Sequence, residues 1–160
     1  MKKISFMVIL ACLGFMSLGA ATVSVVVVET GLPSENGCTP SASIWESGMM
    51  DVFFEAGHIV SNAPCLQVIS ASGLLPSEVN GDFDQARIGG ADFFVLIILN
   101  HPKDKPEGFK EVTIRVFKVS TGELLLETSV NGRVWGNGDD EFIAAKQSAG
   151  NLVSRLTSKK

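Results

Sequence analysis

Two long apolar runs dominate the pattern of hydrophobic and polar residues and predict the central strands of a sheet. The first, Thr22–Glu29, contains four consecutive valines, whose branched side chains favour an extended chain. The second is nearly uninterrupted from Phe93 to Leu99, within a strand predicted over Ala91–Asn100. Strands that are apolar on both faces are typical of sheets covered on both sides.

A β-hairpin is predicted next. Apolar and polar residues alternate over Glu111–Val119, which indicates a strand with one buried and one more polar face. The turn Ser120–Glu123 then leads into another strand, whose pattern allows it to continue to Trp135. The residues of this strand expected to share one face are Leu124, Leu126, Thr128 and Val130.

A helix is predicted between the first strand and a short strand at His58–Asn62. Ser43 and Glu46 have the spacing of a capping box, which would begin the helix, and Gly57 would end it. Apolar residues recur at helical spacing, so we interpret them as core rather than as a ligand site. They are Trp45, Met49, Val52 and Ala56, flanked by Ile44, Gly48 and Phe53.

The segment Cys65–Leu75 fits either a strand edge or a helical turn, and a short helix is predicted from Pro76 towards Ile88. A C-terminal amphipathic helix follows Gly138, with acidic residues in its first turn and basic residues at its end, as the helix dipole favours. Its predicted apolar stripe is Phe142, Ala145, Ala149, Leu152, Val153 and Leu156. The order β-α-β-α-β-β-β-α predicts one α/β domain with a mixed sheet over residues 22–160.

Residues 1–21 have the features of a secretory signal peptide. Two lysines precede the apolar run Ile4–Leu18, and small residues precede a predicted cleavage after Ala21. The run is shorter than the roughly 20 residues that span a bilayer, which favours a cleaved signal and leaves no predicted transmembrane segment. A lipid anchor at Cys12 is disfavoured because Leu10 occupies a position where a small residue is usual.

Export would leave Cys38 and Cys65 as the remaining cysteines in an oxidising compartment. Our hypothesis is that they form a disulfide; the alternative is two buried free thiols. Closing a loop of about 26 residues is worth roughly 3.5 kcal/mol on the chain-entropy description. The net charge of −4, without clustered lysine or arginine, argues against a nucleic-acid partner.

No pattern of residues predicts a cofactor or metal site. Gly136-Asn137-Gly138 lacks the third glycine of a dinucleotide motif, and the acidic residues after it would repel a phosphate. Asp82 and Asp84 have calcium-loop spacing, but Ala86 and Arg87 stand where an oxygen ligand and a glycine are required. The two histidines, His58 and His101, are too far apart for a metal-ligand motif.

No catalytic constellation is predicted either, so we expect the protein not to be an enzyme. An enzyme would require a perturbed titratable pair in a cleft, for which the sequence offers only His58, Cys65 and Asp92.

The central stretch resembles a module of the bacterial cell envelope. Gly90-Ala91-Asp92 leads one strand, and residues 112–125 fit the hairpin pattern V-x-I-R-V-F-x-V-x-T-G-E-L-L. This is similar to the amino-terminal domain of TolB and the related domains of CsgG, FlgO and LpoB. The resemblance covers nearly all of residues 22–160. It implies a free-standing periplasmic binding module rather than a pore, because the membrane-spanning hairpins of CsgG-type pores are missing.

The sequence and the resemblance together predict an exported, non-enzymatic periplasmic protein that binds another envelope protein. We expect the contact on a sheet edge or on the polar loops Gly31–Thr39 and His101–Gly108, because loops on a rigid scaffold usually carry recognition. The alternative is a protein that binds a small ligand or cell-wall fragment, which would require a concave pocket with convergent polar groups. The partner's identity and the oligomeric state stay open.

Overall fold

A computed structural model describes residues 20–31, 37–101, 111–131 and 138–157. The predicted signal segment up to residue 19, including Cys12, lies outside the described residues, as do residues 32–36, 102–110 and 132–137. The described chain forms one mixed α/β domain with helices on both faces of a sheet, which confirms the predicted fold class.

The strands are β1 (Thr22–Thr30), β2 (Ile59–Asn62), β3 (Leu66–Val68), β4 (Phe93–Asn100), β5 (Glu111–Lys118) and β6 (Glu123–Asn131). The α-helices are α1 (Pro40–Glu55), α2 (Asn80–Ile88) and α3 (Gly138–Thr157), and a short 3₁₀ turn at Ser77–Val79 precedes α2. The segment that fitted either a strand or a helical turn therefore contains a short strand, β3.

The sheet is built around the two apolar strands β1 and β4, which pair in parallel over eight residues. The strand order is β2-β1-β4-β5-β6, and β3 pairs with β1 beyond the end of β2. β2 and β3 are parallel to β1, whereas β5 and β6 are antiparallel to their neighbours. The centre of the sheet is thus parallel, and the predicted hairpin forms its antiparallel side.

Helices α1 and α3 cover one face of the sheet together. Trp45, Met49 and Phe53 of α1 are fully buried against alternate residues of β1, β4 and β5. The two helices approach closely at Gly48, where a Cβ would lie 2.7 Å from the Cβ of Ala145. This glycine therefore permits the helix contact.

The opposite face is covered less completely, by α2 and the segment before it. Val26 and Val28 of β1 pack here with Phe94 of β4 and Phe117 of β5. Phe83 of α2 meets Phe94 edge-on, with ring centroids 5.2 Å apart. Because α2 has only nine residues, part of this face has no helix above it among the described residues.

The predicted capping box at the start of α1 is wrong. The helix begins at Pro40, and Ser43 and Glu46 lie inside it rather than at its cap. Proline is favoured at the first helical position because its fixed φ suits the helix and it has no N–H to leave unpaired. The preceding residue, Thr39, is held by Glu29 of β1, so a tertiary contact sets the start of the helix.

The predicted common face of Leu124 and Leu126 is also wrong. A bulge shifts the register between β5 and β6, so that Val116 pairs with Leu126 but Phe117 pairs with Leu124. The extra residue, Leu125, reverses the alternation of side chains. Leu124 therefore packs on the α2 side of the sheet, whereas Leu126 packs on the α1 side.

Candidate recognition platform

The carboxyl ends of β1, β3 and β4 meet at one edge of the sheet. This is the position at which open α/β sheets usually present their binding groups. The polar loops predicted at Gly31–Thr39 and His101–Gly108 both begin here, directly after β1 and β4. We call this edge, with the described ends of the two loops, the loop platform.

A buried carboxylate, Glu29, lies at the centre of the platform. Its side chain is fully buried near the end of β1 and accepts hydrogen bonds from three other residues. The Thr39 amide donates at 2.9 Å, and the Thr39 hydroxyl donates to the other carboxylate oxygen. Gln67 Nε2 lies 3.4 Å from Glu29 Oε2, and His101 Nε2 lies 3.4 Å from Oε1. We call these four residues the Glu29 cluster.

The cluster favours the ionised form of Glu29. Burial alone would raise the pKa of this carboxyl, because a charge is poorly solvated inside a protein. The hydrogen bonds from His101, Thr39 and Gln67 outweigh burial and hold the pKa below its usual value. Glu29 is therefore an anion that the fold solvates with its own donors.

The two loops leave the sheet side by side. The His101 amide donates to the Thr30 carbonyl at 3.1 Å, and the Thr30 hydroxyl donates to Asn100 Oδ1 at 2.8 Å. Gly31 has a φ of +82°, and a Cβ there would lie 2.6 Å from the His101 carbonyl oxygen. A side chain at position 31 would force the loops apart.

A disulfide closes the platform on its β3 side. Cys38, two residues before the start of α1, is bonded to Cys65, immediately before β3, with an S–S distance of 2.01 Å. Gln67 of β3 also donates to the Gly37 carbonyl. The end of the first loop is therefore fixed by a covalent bond and by the Glu29 cluster.

A second buried carboxylate, Glu141 in the first turn of α3, lies nearby. It accepts hydrogen bonds from Trp45 Nε1 at 2.9 Å and from the Ser41 hydroxyl at 3.0 Å, which ties α3 to α1. Burial raises the pKa of Glu141, and the negative charge of Glu29 adds to this, although the Ser41, Trp45 and His101 interactions oppose it. The two carboxyl pKa values are thus displaced in opposite directions.

The candidate catalytic residues lie in two separate places. His58 Nδ1 accepts from the Ala21 amide at 3.2 Å, and Asp92 accepts from the Thr22 amide at 2.8 Å, both at the amino end of β1. Cys65 lies near the other end of β1, about 20 Å along the strand at its usual rise per residue. Because Cys65 is in the disulfide, it offers no thiolate nucleophile in this form.

Among the described residues, one group brings three ligand-type side chains within 4.8 Å of one another: Glu29, Cys38 and Cys65. A cysteine binds a metal as its thiolate. Both sulfurs are in the disulfide, so this oxidised form does not offer a metal-ligand set.

The platform's central residues are not predicted as site residues by the sequence pattern. Glu29 was treated as the end of an apolar strand, Glu141 as one of three acids in a helix's first turn, and Trp45 as plain core. The available signal was a glutamate directly after four valines, in a run expected to be buried on both faces. A buried carboxylate requires donors, but its sequence neighbours do not identify them, because Gln67 and His101 come from distant strands.

No known family model and no curated protein matches the chain. Several solved structures are similar to it. Acinetobacter baumannii TolB is 15% identical, with a TM-score of 0.50, over 87% of this chain and 29% of that one. A PelC dodecamer from Paraburkholderia phytofirmans is 15% identical with a TM-score of 0.46, covering 86% of this chain and 87% of that one. The LpoB C-terminal domain from Escherichia coli is 15% identical with a TM-score of 0.40, covering 79% and 92%.

The TolB similarity shows a shared fold, and it confirms the resemblance that the hairpin motif indicated. The chain spans less than a third of TolB. In the described residues, no helix combines the length and apolar character needed to cross a membrane.

Proposed function

We propose that this protein is an exported, non-enzymatic module that binds another protein of the bacterial cell envelope through its loop platform. One observation carries the proposal. Two polar loops leave adjacent parallel strands from a buried, fully hydrogen-bonded anchor, the Glu29 cluster. Loops held in this way on a rigid scaffold are suited to recognition.

The fixed loop ends favour binding for a thermodynamic reason. Association orders side chains and loops, and each rotamer-rich side chain that is immobilised costs about 0.5–1.5 kcal/mol. The disulfide and the contacts of Thr39 and His101 already restrict the described ends of both loops. A partner would then have less of the chain to order.

The contacts of Glu29 support a structural rather than a catalytic role for this carboxylate. Each described donor around Glu29 is directed at the carboxylate, and the side chain is fully buried. A general acid or base has to reach the proton of a substrate. The cluster fixes the described ends of both loops, and we expect the loops to supply the contact surface.

The proposal is tested by site-specific photo-crosslinking of a tagged, exported protein in cells. A crosslinking amino acid is placed in one loop at Ser34, in the other at Glu107, on the edge strand β6 at Ser129, and at Ser154 near the end of α3 as the control. We expect one dominant envelope protein to be captured from both loop positions and not from Ser154. Capture from Ser129 alone would move the contact to the sheet edge. Recovery of the uncrosslinked protein from every position, despite folding and export, would contradict the proposal.

A further inference from the structure

A cleft lies under α2 at the amino end of β1, at the opposite end of that strand from the loop platform. Its volume is about 160 Å³. We call it the α2 cleft. Its polar lining residues include Ser24, Ser61, Asn62, Asp82 and Gln85.

Ser24 is the unusual residue of the cleft. It lies on the face of β1 that carries Val26 and Val28 into the core beneath α2, and only 7% of it is exposed. Its side chain makes no hydrogen bond within the described residues. Every fully buried side-chain polar atom in that part of the chain has a partner, so the Ser24 hydroxyl must face the open cleft. The strand thus places a hydroxyl in a position where a valine would fill the space.

The other polar groups of the cleft are also largely unused. Ser61, Asp82 and Gln85 make no side-chain hydrogen bond within the described residues. Asn62 donates to Glu46, which leaves its carbonyl oxygen as an acceptor. No lysine, arginine or histidine is among the described lining residues, so none of them places a cation beside the Asp82 carboxylate. Burial raises the pKa of Asp82, as expected for a carboxylate that lacks a counter-charge.

We propose that the α2 cleft binds a small primary ammonium compound that also carries a hydroxyl group. Asp82 would pair with the ammonium group, and Ser24 and Ser61 would exchange hydrogen bonds with the hydroxyl. A protonated amine supplies the positive charge that the described lining residues lack, and its N–H groups donate to the Asp82 carboxylate.

The size of the cleft restricts the ligand further. Its volume equals that of about five water molecules at roughly 30 Å³ each, which suits a molecule of only a few heavy atoms. An amino alcohol fits this description, as does the amine-bearing edge of a larger amino sugar. A ligand of this size binds with a Kd on the order of 1 mM, since few atoms contribute to its affinity.

This inference is independent of the proposed protein partner. The cleft is formed by the start of β1, the end of β2 and α2, whereas the loop platform is formed by the ends of β1, β3 and β4. A ligand in the cleft therefore leaves the platform accessible, and each proposal fails or succeeds on its own experiment.

The test is an NMR titration of the full exported protein with ethanolamine, followed through backbone amide shifts. We expect saturable shifts centred on Ser24, Asp82 and Gln85. Ethylene glycol, which has the hydroxyls without the charge, should bind at least tenfold more weakly. Glucosamine distinguishes the two sources: tighter binding than ethanolamine would indicate an amino sugar, and weaker binding a free amino alcohol.

Two variants make the test specific. Asp82→Asn should weaken ethanolamine binding at least tenfold, whereas the matched control Asp84→Asn, an exposed carboxylate two residues along that pairs with Arg87, should not change it. Ser24→Val should abolish binding by filling the cleft, and the variant should stay folded because the valine adds buried apolar surface. The proposal is overturned if ethanolamine shifts no cleft resonance, if ethylene glycol binds equally well, or if the Asp82 and Asp84 variants behave alike.

Discussion

The two ends of β1 treat polar groups in opposite ways. At the carboxyl end, Glu29 is fully buried and each of its described partners donates a hydrogen bond to it. At the amino end, Ser24 is almost as buried but its side chain makes no hydrogen bond within the described residues, and neither does the side chain of Asp82 beside it. The side chains of Glu29 and Ser24 are similarly buried, but only Glu29 has hydrogen-bond partners within the described residues.

This difference indicates different roles. A buried polar group that the fold satisfies stabilises a particular arrangement of chain segments, and removing it leaves its donors without a partner. A polar group that the fold leaves unsatisfied beside a cleft has its binding capacity available to a ligand. The carboxyl end of β1 should therefore be sensitive to substitution, whereas the amino end should tolerate it or gain stability.

The largest effect is expected from removing the disulfide at the carboxyl end. Replacing both Cys38 and Cys65 with alanine should lower the free energy of unfolding by about 3–4 kcal/mol, since the bond restricts the unfolded chain. Urea denaturation measures this change. The wild-type protein treated with a reductant should approach the stability of the variant. Two reactive thiols in the unreduced, denatured wild-type protein would show that the bond is not formed.

Glu29→Gln should have the next largest effect, a loss of roughly 2–3 kcal/mol at neutral pH, because an amide cannot accept all the donors that surround the carboxylate. The folded-state pKa of Glu29 lies below its unfolded value of 4.5, so its contribution is complete above pH 4.5. The contribution is lost as pH falls through the lower, folded-state pKa. The difference in urea midpoint between wild type and variant should therefore shrink in acid.

The matched control is Glu78→Gln, at an exposed glutamate that accepts a hydrogen bond from the hydroxyl of its neighbour Ser77. It should change stability by less than about 0.5 kcal/mol. Equal losses from the two substitutions would contradict the role assigned to the Glu29 cluster.

Glu141→Gln tests the other buried carboxylate, and we expect a gain of up to about 1 kcal/mol at neutral pH. The amide oxygen can still accept from Trp45, and its NH₂ group can donate to the Ser41 hydroxyl. The folded-state pKa of Glu141 is raised above 4.5, so ionisation opposes folding at neutral pH and the penalty disappears as pH falls through the raised value. The gain should accordingly vanish in acid, which a urea series across pH measures.

Asp139→Asn, an exposed acid in the same turn of α3, is the control and should lower stability slightly, because it removes a favourable helix-dipole interaction. A large loss from Glu141→Gln would show that the anion, rather than the hydrogen-bond acceptor, is required at this position.

Features that depend on local sequence patterns were predictable, whereas features that depend on long-range contacts were not. The valines of β1, the apolar run of β4 and the alternation of β5 are local patterns, and each predicted its strand. The two apolar runs also predicted the centre of the sheet. The fold class followed from their order. The start of α1 could not be predicted from a local pattern, because Thr39 is fixed by Glu29, which lies ten residues away in sequence and in another element.

The face of the sheet on which Leu124 lies could not be predicted for a related reason. An unbroken alternation places Leu124 and Leu126 on one face, and only the pairing with β5 shows the bulge between them. The partners of Glu29 come from β3, from the segment before α1 and from the end of β4. A carboxylate at the end of a valine run indicates that donors are needed, but long-range pairing decides which residues supply them.

Ser24→Val gives the smallest effect and the sharpest test of the contrast between the two ends of β1. The valine would extend the apolar face of Val26 and Val28, and burying one or two additional methyl groups should add about 0.5–1 kcal/mol to the free energy of unfolding. Ser61→Val, at an exposed position on β2 that also lines the cleft, is the control and should add less. Both are measured by urea denaturation at neutral pH.

The sign of the Ser24 result distinguishes two explanations for a serine on this face. A gain in stability with loss of ethanolamine binding would mean that the cleft is kept polar for a ligand at the expense of packing, as binding sites commonly are. A loss of stability would mean that the fold itself uses the hydroxyl. In that case Ser24 would resemble Glu29, and the contrast between the two ends of the strand would not hold.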